Sequence, residues 1–167
     1  MPANQLCNRL ITEYGDTILR MCFLYLKDYY LAEDAAQETF VKAVQAYDSF
    51  KHKSSEKTWL IKIAVNCCKN MMRTRWFRLD YTNLEQHPEL TSQQNLIEEL
   101  ILKDTISNAI MELNVLDREI IILHYYEDLS LKEIGSIIGK SENSIIQRLN
   151  RARKKLRNIL KEDELWL

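Results

Sequence analysis

The sequence has very few of the residues that turn or break a chain: three glycines and two prolines among 167 residues. A β-rich chain of this length needs many tight turns, and those turns depend heavily on glycine and proline. The scarcity of both therefore argues against a sheet protein. Because 46% of the residues are hydrophobic, the chain has enough apolar side chains to form a packed core. We predict an all-α fold with short connections.

Long apolar runs are also missing. No stretch reaches the roughly 18–20 apolar residues that span a bilayer, and residues 1–16 lack the apolar centre of a signal peptide. We therefore expect a cytoplasmic protein without direct membrane insertion. The cysteines form no C-x-x-C pair and have no histidine at metal-ligand spacing. We expect four reduced thiols, no metal and no cofactor, with these cysteines as small packing residues: Cys7, Cys22, Cys67 and Cys68.

The net charge of −1 conceals a strong segregation of charge along the chain. Residues 62–78 contain five basic side chains and no acidic one, and residues 140–161 contain eight basic and one acidic. Acidic side chains outnumber basic ones in residues 1–50 and 80–119. Local charge of this kind attracts anionic partners. The blocks indicate two surfaces that face an anion, with two solvated helix faces as the alternative.

The first part of the chain shows apolar residues at helical spacing. They predict helices over residues 5–27, 31–47 and 57–76, which together form one small bundle. The segment 48–57 is polar, has no helical period, and is predicted to be a loop. Five residues of the third helix are expected to face the core: Leu60, Ile61, Ala64, Val65 and Cys68.

Residues 77–100 lose the helical pattern, contain Pro88 and are mostly polar and acidic. This composition is typical of a linker. A second apolar-periodic region follows. We therefore predict two helical domains, residues 1–76 and 101–167, joined by an acidic linker.

The second domain has the layout of a helix-turn-helix. An apolar helix is predicted over residues 116–126, with a dense apolar block at Ile120, Ile121, Leu123 and Tyr125. A shorter helix should follow, starting with the capping box of Ser130 and Glu133. Its inward residues are Leu131, Ile134, Ile137 and Ile138, and it should end at Gly139.

A longer basic helix follows, and Ser141 can cap it. Gly135 fits a close crossing of the two helices, because such a contact needs a small side chain. The basic helix has a stripe predicted to be buried: Ile145, Leu149, Ala152, Leu156 and Ile159. Its outer face holds Gln147, Arg148, Arg151, Lys154 and Lys155. Ile146 lies outside the stripe and has two open interpretations, contact with a thymine methyl group or packing against helix 116–126.

Two stretches together resemble the extracytoplasmic-function sigma factors of bacterial RNA polymerase, a group of the sigma-70 family. One is AEDAAQETF at 32–40 with TWLIKIAVNCCKNMMR at 58–73, and the other is DREIIILHYYEDLSLKEIGSIIGKSENSIIQRLNRARKKL at 117–156. A helix-turn-helix alone is a weak signal, but these motifs in this order are specific. The resemblance covers nearly the whole chain apart from the linker.

The resemblance implies an alternative sigma factor with no catalytic residues of its own. Its partners would be core RNA polymerase, through the β′ clamp helices and the β flap, promoter DNA, and an anti-sigma factor. Asp34, Gln37 and Glu38 match the helix that docks on the clamp helices. The linker would thread along the polymerase between the two domains.

The first domain would recognise and melt the −10 element. The matching positions lie in the loop and on the following helix: Lys51, His52, Lys53, Ser54, Lys62, Asn66, Lys69 and Arg73. Melted strands need hydrogen bonds for unstacked bases and positive charge along the backbone, and these residue types supply both. Trp59 matches a family tryptophan that is usually core, so we favour core over a stacking platform.

The second domain would recognise the −35 element through the basic helix. Base-facing positions match Ile146, Gln147, Asn150 and Arg151, and phosphate-facing positions match Ser144, Arg148 and Lys154.

The sequence departs from the family pattern at four positions. Asn70, Asn114 and Gly135 stand where aspartate, proline and alanine are usual, and these exchanges look structural. Ile146 stands where a basic residue is common, so the −35 sequence that this chain would read is open.

Two other functions fit parts of the sequence. One is a polymerase-independent helix-turn-helix regulator with an N-terminal sensing or dimerisation domain, and the other is a helical protein whose basic face binds an acidic partner. Residues 32–73 discriminate against the first, because a sensing domain has no need of a basic helix that faces single strands. The sequence has no nucleophile–base pair and no phosphate-binding glycine loop, so we do not expect an enzyme.

Overall fold

The computed structural model describes residues 2–79 and 105–164, and at 75–79 and 162–164 it describes the helical backbone alone. The chain forms two compact units, Met1–Thr91 and Ser92–Leu167. Within the described ranges every regular element is helical, which confirms the predicted all-α class. No helix in those ranges is long and apolar enough to cross a membrane. Residues 77–79 of the predicted linker continue the helix that begins at Glu56, so this helix ends three residues later than predicted. The linker from residue 80 onward falls outside the described residues.

In its described residues, unit 1 has three α-helices, α1 (Ala3–Leu26), α2 (Tyr29–Ala46) and α3 (Glu56–Leu79), and a short 3-10 helix at Tyr47–Ser49. α1 ends at Lys27, whose left-handed backbone (φ 57°) directs its N–H to the carbonyl of Phe23. The Asp28 carboxylate accepts the N–H of Leu31 at 3.0 Å and caps α2. An aspartate N-cap of this kind satisfies one of the free N–H groups of the first turn. Two residues separate the two helices, whereas the sequence predicted a break of three.

The core of unit 1 lies among the three helices. All five α3 residues predicted to face inward are fully buried. Small residues on α2 (Ala32, Ala35 and Ala43) are also fully buried, which lets the helices approach closely. Cys22, Cys67 and Cys68 are buried free thiols, and Cys7 is half-buried.

Unit 2 begins, within the described residues, at α4 (Thr105–Glu112). α5 (Val115–Ile121) follows and continues into a π-helical turn at Ile122–Tyr126. Asn114, where the family usually has proline, is the N-cap of α5, and its side chain accepts the N–H of Asp117 at 3.0 Å.

The π-helical turn lies at the end of the predicted apolar block. Ile120, Ile121 and Leu123 are buried, but Tyr125 is 52% exposed. The N–H of Glu127 bonds to the carbonyl of Ile122, five residues back, so this turn holds an extra residue. Tyr125 is thereby rotated off the face that an α-helical period assigns to it.

The helix-turn-helix consists of α6 (Leu131–Ile138) and α7 (Glu142–Glu164). The capping box of Ser130 and Glu133 is present, and Gly139 ends α6 in a left-handed conformation (φ 76°). Ser141 accepts the N–H of Ser144 at 3.3 Å and caps α7. These features were all predicted from the sequence.

Gly135 lies in the middle of α6, on the side that faces the turn between α6 and α7. A Cβ atom added there would lie 2.7 Å from the carbonyl oxygen of Lys140 and 3.8 Å from Ile145 Cγ1. The glycine therefore permits a backbone contact that a larger residue would disrupt. On α7 the inner stripe is buried at Ile145, Leu149 and Ala152, and half-buried further along.

Candidate functional site

The polar face of α2 contains the three residues predicted to dock on the polymerase. Asp34 and Gln37 are exposed, and Glu38 is half-buried. Glu38 pairs with Lys42 one turn later, at 2.6 Å. The opposite side of the helix packs into the core through Ala36 and Phe40. The structure thus brings the three side chains together on one accessible face.

An apolar groove of about 520 Å³ runs beside this face, between α1 and α2. Ile11 and Val41 line it and are 46% and 55% exposed. Asp16, Glu33 and Gln37 also line it, so acidic side chains adjoin the apolar surface. Sequence patterns on single helices did not reveal this groove, because it requires both helices.

The loop between α2 and α3 exposes all four of its predicted nucleic-acid residues: Lys51, His52, Lys53 and Ser54. Phe50 is an exception in this polar segment, because it is 8% exposed. Its ring lies 4.7 Å from Trp59 and 4.4 Å from His52, measured between ring centroids. Trp59 is half-buried in this aromatic cluster, where it packs beneath the loop.

A charged cluster fixes both ends of this loop to α1, and sequence reasoning missed it. Arg9 donates to Glu56 through two nitrogens, at 2.7 and 2.9 Å. The Tyr47 hydroxyl donates to the same carboxylate at 2.6 Å and accepts from Arg9 at 3.0 Å. Hydrogen bonds from Arg9 and then Tyr47 lower the pKa of Glu56 to about 2. Tyr47 precedes the loop and Glu56 follows it, so this Arg9 cluster holds the loop closed at its base.

The outer face of α3 carries the remaining −10 candidates. Lys62, Asn66 and Arg73 are exposed and Lys69 is half-buried. Their spacings of four, three and four residues place them along one stripe. Arg73 also donates to the side chain of Asn70 on the same helix. The stripe offers positive charge over nearly three helical turns.

The outer face of α7 presents the −35 candidates. Ile146, Gln147, Asn150, Arg151 and Lys154 are exposed, and Ser144 and Arg148 are half-buried. Ile146 is 38% exposed and lies roughly a quarter turn around α7 from the buried stripe. The structure therefore gathers all seven residues on the accessible part of one helix.

A buried carboxylate lies beneath this helix. Asp117 on α5 is 1% exposed and accepts hydrogen bonds from Asn114, at 2.7 Å, and from Lys155. Arg151 Nε lies 3.7 Å from its other oxygen. Burial alone would raise the pKa of Asp117, but the hydrogen bonds from Lys155 and Asn114 outweigh burial, and the pKa is lowered. No local sequence pattern links Asp117 to Arg151 and Lys155, because these residues lie 34 and 38 positions further along the chain.

A second apolar groove, of about 790 Å³, lies in unit 2 among α4, α5, its π-helical turn and α7. Its apolar lining is Ile106, Ile110, Ile121, Tyr125, Tyr126, Leu156 and Leu160, and its basic lining is Arg153, Arg157 and Lys161. Arg153 lies over the ring of Tyr125 and donates to its hydroxyl. The exposed Tyr125 thus forms part of a groove with basic residues beside it.

Among the residues that the structure describes, no three His, Cys, Asp or Glu side chains come together in a way that could hold a metal ion. The accessible features described above are an acidic face, two basic stripes and two apolar grooves.

Two family models match the chain. Sigma-70 region 2 matches residues 10–78, and Sigma-70, region 4 matches residues 103–156. The first match contains the α2 face, the loop and all of α3 except its last residue. The second contains α6 and α7 up to residue 156.

Relatives extend the similarity over both units. The ECF RNA polymerase sigma factor SigW of Bacillus subtilis (strain 168) is 30% identical over 166 residues, which cover 92% of this chain and 88% of SigW. The RNA polymerase sigma factor SigV of the same organism is 31% identical, with 93% of this chain and 91% of SigV covered.

A solved sigma-factor structure has a similar fold. The sigma factor RpoE from Bartonella quintana, crystallised in complex with the anti-sigma factor NepR, matches with a TM-score of 0.72 and 26% identity. The match covers 92% of this chain and 96% of that one. The chain therefore belongs to the sigma-70 family of RNA polymerase sigma factors, within the extracytoplasmic-function group.

Proposed function

We propose that this protein binds core RNA polymerase in the cytoplasm and directs it to promoters by recognising the −10 and −35 elements. The observation that carries the proposal is that each unit exposes one basic face and that unit 1 also exposes an acidic face. Residues 1–76 would dock on the polymerase and melt the −10 element. Residues 77–100 would connect the two domains, and residues 101–167 would bind the −35 element. A polymerase-independent regulator is disfavoured, because it gives no role to the match of residues 10–78 with sigma-70 region 2.

Transcription by a reconstituted holoenzyme tests this function. The full chain and core polymerase are incubated with fragments of the source genome, and the 5′ ends of the transcripts are mapped. We expect transcripts that share two upstream elements and that disappear without the chain. If the free chain instead binds a palindromic duplex tightly and core polymerase adds nothing, the proposed function is wrong and the regulator is favoured.

The α2 face is the proposed contact for the β′ clamp helices, through Asp34, Gln37 and Glu38. Support comes from the exposure of Asp34 and Gln37 beside an apolar groove. Acidic groups around an apolar centre suit a partner that presents basic and apolar side chains.

A double change, Asp34→Ala with Glu38→Ala, is expected to weaken binding to core polymerase about ten-fold, because rim charges of this kind contribute about 1–2 kcal/mol together. A titration of fluorescent protein with core polymerase measures the effect, and circular dichroism confirms that the fold is retained. The control removes two exposed acids elsewhere on unit 1, Glu13 and Asp48. Equal affinity of the docking variant and the control would contradict the assignment.

The loop and the outer stripe of α3 are the proposed −10 surface. Loop residues Lys51, His52, Lys53 and Ser54 can donate hydrogen bonds to bases that have left the duplex. Asn66 can do the same from α3, while Lys62, Lys69 and Arg73 follow the backbone. The Arg9 cluster supports this role, because it defines the span between the ends of the loop.

The outer face of α7 is the proposed −35 surface. Gln147, Asn150 and Arg151 have side chains that can read base edges in the major groove. Ser144, Arg148 and Lys154 are placed to hold phosphates. The apolar groove of unit 2, with its three basic residues, is the proposed contact for the β flap.

Ile146 would then contact a thymine methyl group, and Ile146→Ala tests this contact. A buried methyl contributes about 0.8 kcal/mol, so replacing thymine by uracil in one −35 position should weaken wild-type holoenzyme binding about four-fold. The variant should lose this preference. Asn143→Ala, at an exposed neighbouring position, should keep it. A variant that binds both promoters more weakly by the same factor would support packing instead.

We further propose that an anti-sigma factor binds this protein. The related RpoE was crystallised with one, and the two apolar grooves offer accessible surface of the kind that helices of a partner bind. A partner on these surfaces would compete with the polymerase.

A further inference from the structure

The carboxylate of Asp117 holds two of the cations of α7 in different ways. Lys155 donates directly to Oδ2, which also accepts from Asn114 at 2.7 Å. Arg151 approaches Oδ1 through Nε, at 3.7 Å. Both basic side chains stay partly accessible, Arg151 at 59% and Lys155 at 45%, while the carboxylate is only 2% exposed. The buried charge therefore acts on α7 from beneath.

These contacts give two adjacent lysines different roles. Lys154 is exposed on the outer face, with its ammonium available to a phosphate. The ammonium of Lys155 donates to a carboxylate that is only 2% exposed. Moving that ammonium to an outside phosphate would take a directly bonded counter-charge away from the buried carboxylate, which is costly. Lys155 should therefore add little to phosphate binding, although it has the same charge as Lys154.

The contact of Arg151 constrains the orientation of its guanidinium. This group is planar, and its two terminal nitrogens form the fork that binds guanine at two points. Nε lies at the opposite end, on the side of the aliphatic stem. The 3.7 Å approach is longer than a hydrogen bond, so the carboxylate attracts the guanidinium at its Nε end and does not engage the terminal fork.

We infer that Asp117 is a positioning residue for −35 recognition: it orients Arg151 for base reading and withdraws Lys155 from phosphate binding. The inference rests on the proposed function, in which α7 enters the major groove. Asp117 contacts no DNA itself. It sets how many cations face the phosphates and how sharply one of them discriminates between bases.

The alternative is that Asp117 serves folding alone, as the partner of Asn114 at the start of α5. Loss of a merely structural residue would weaken all binding together. The inference predicts a different pattern, in which salt dependence becomes steeper while base discrimination becomes weaker.

The test uses the full chain bound to core RNA polymerase and a duplex library randomised over the −35 region. Each neutralised phosphate contributes about 0.9 to the slope of log affinity against log salt. We expect Lys154→Met to lower the slope by about 0.9, and Lys155→Met to leave it unchanged. Asp117→Asn should raise it by about 0.9 because Lys155 is released, and adding Lys155→Met to Asp117→Asn should remove that increase.

Base selection from the same library is the second readout. Asp117→Asn should reduce the preference at one base position by roughly ten-fold, the position that Arg151→Ala also relaxes. Equal slopes for Lys154→Met and Lys155→Met would overturn the inference, even if Asp117→Asn failed to fold by circular dichroism. A wild-type holoenzyme that selects no −35 sequence at all would instead overturn the proposed function.

Discussion

Replacing Gly135 with valine is expected to destabilise unit 2 by about 3 kcal/mol and to abolish −35 recognition. A Cβ atom at this position lies 2.7 Å from the carbonyl oxygen of Lys140. Because that oxygen belongs to the backbone, it cannot rotate away as the end of a side chain can. The turn between α6 and α7 must shift, and α7 starts from that turn. Because valine is itself a poor helix former, its helix propensity offsets only about 0.3 kcal/mol relative to glycine.

Hydrogen exchange of peptides from α6 and α7 measures this loss within unit 2, and promoter binding by the holoenzyme measures its consequence. Ser136→Val is the matched control, because it adds the same side chain at the next position, which is exposed. It should cost less than about 1 kcal/mol. Binding of the Gly135→Val variant to core polymerase through unit 1 should persist. Equal exchange rates in the two variants would show that the turn adapts to the added side chain.

Local sequence patterns were sufficient for most of the fold. Helical spacing identified the buried residues of α3, and the capping box and Gly139 fixed the ends of α6, because each signal acts within one or two helical turns. The exposure of Tyr125 could not be predicted from the sequence. The π-helical turn adds one residue to the turn, and a fixed 3.6-residue period cannot register it.

The same distinction between local and long-range signals applies to the candidate site. Residues that share one helix face, such as Asp34 with Gln37 or Gln147 with Arg151, could be grouped by spacing alone. The contacts that support them could not. Arg9 and Glu56 are 47 residues apart, and Asp117 and Lys155 are 38 apart. Pairs of that kind depend on how whole helices pack, for which a single sequence offers no periodic signal.

Loss of the Arg9 cluster is the second large effect that we expect. Arg9→Met removes the two hydrogen bonds to Glu56 and leaves a largely buried carboxylate without its counter-charge; the Glu56 side chain is only 17% exposed. Breaking a partly buried pair of this kind should destabilise unit 1 by about 2–3 kcal/mol. The loop at 50–55 should lose its fixed span, so the holoenzyme should melt promoters more slowly. Hydrogen exchange of α1 and α3 peptides and a fluorescent base in the −10 element measure the two effects.

The effect should depend on pH in a defined direction. The pKa of Glu56 is lowered from 4.5 to about 2, so the folded state prefers the ionised carboxylate. Its contribution to stability is complete above about pH 4.5 and is lost as the pH falls towards about 2. The stability difference between wild type and Arg9→Met should therefore shrink over that interval. Glu13→Gln removes the other, 52% exposed partner of Arg9 and should cost less than about 0.5 kcal/mol. A difference that stayed constant down to about pH 2 would show that Arg9 stabilises unit 1 through packing rather than through charge.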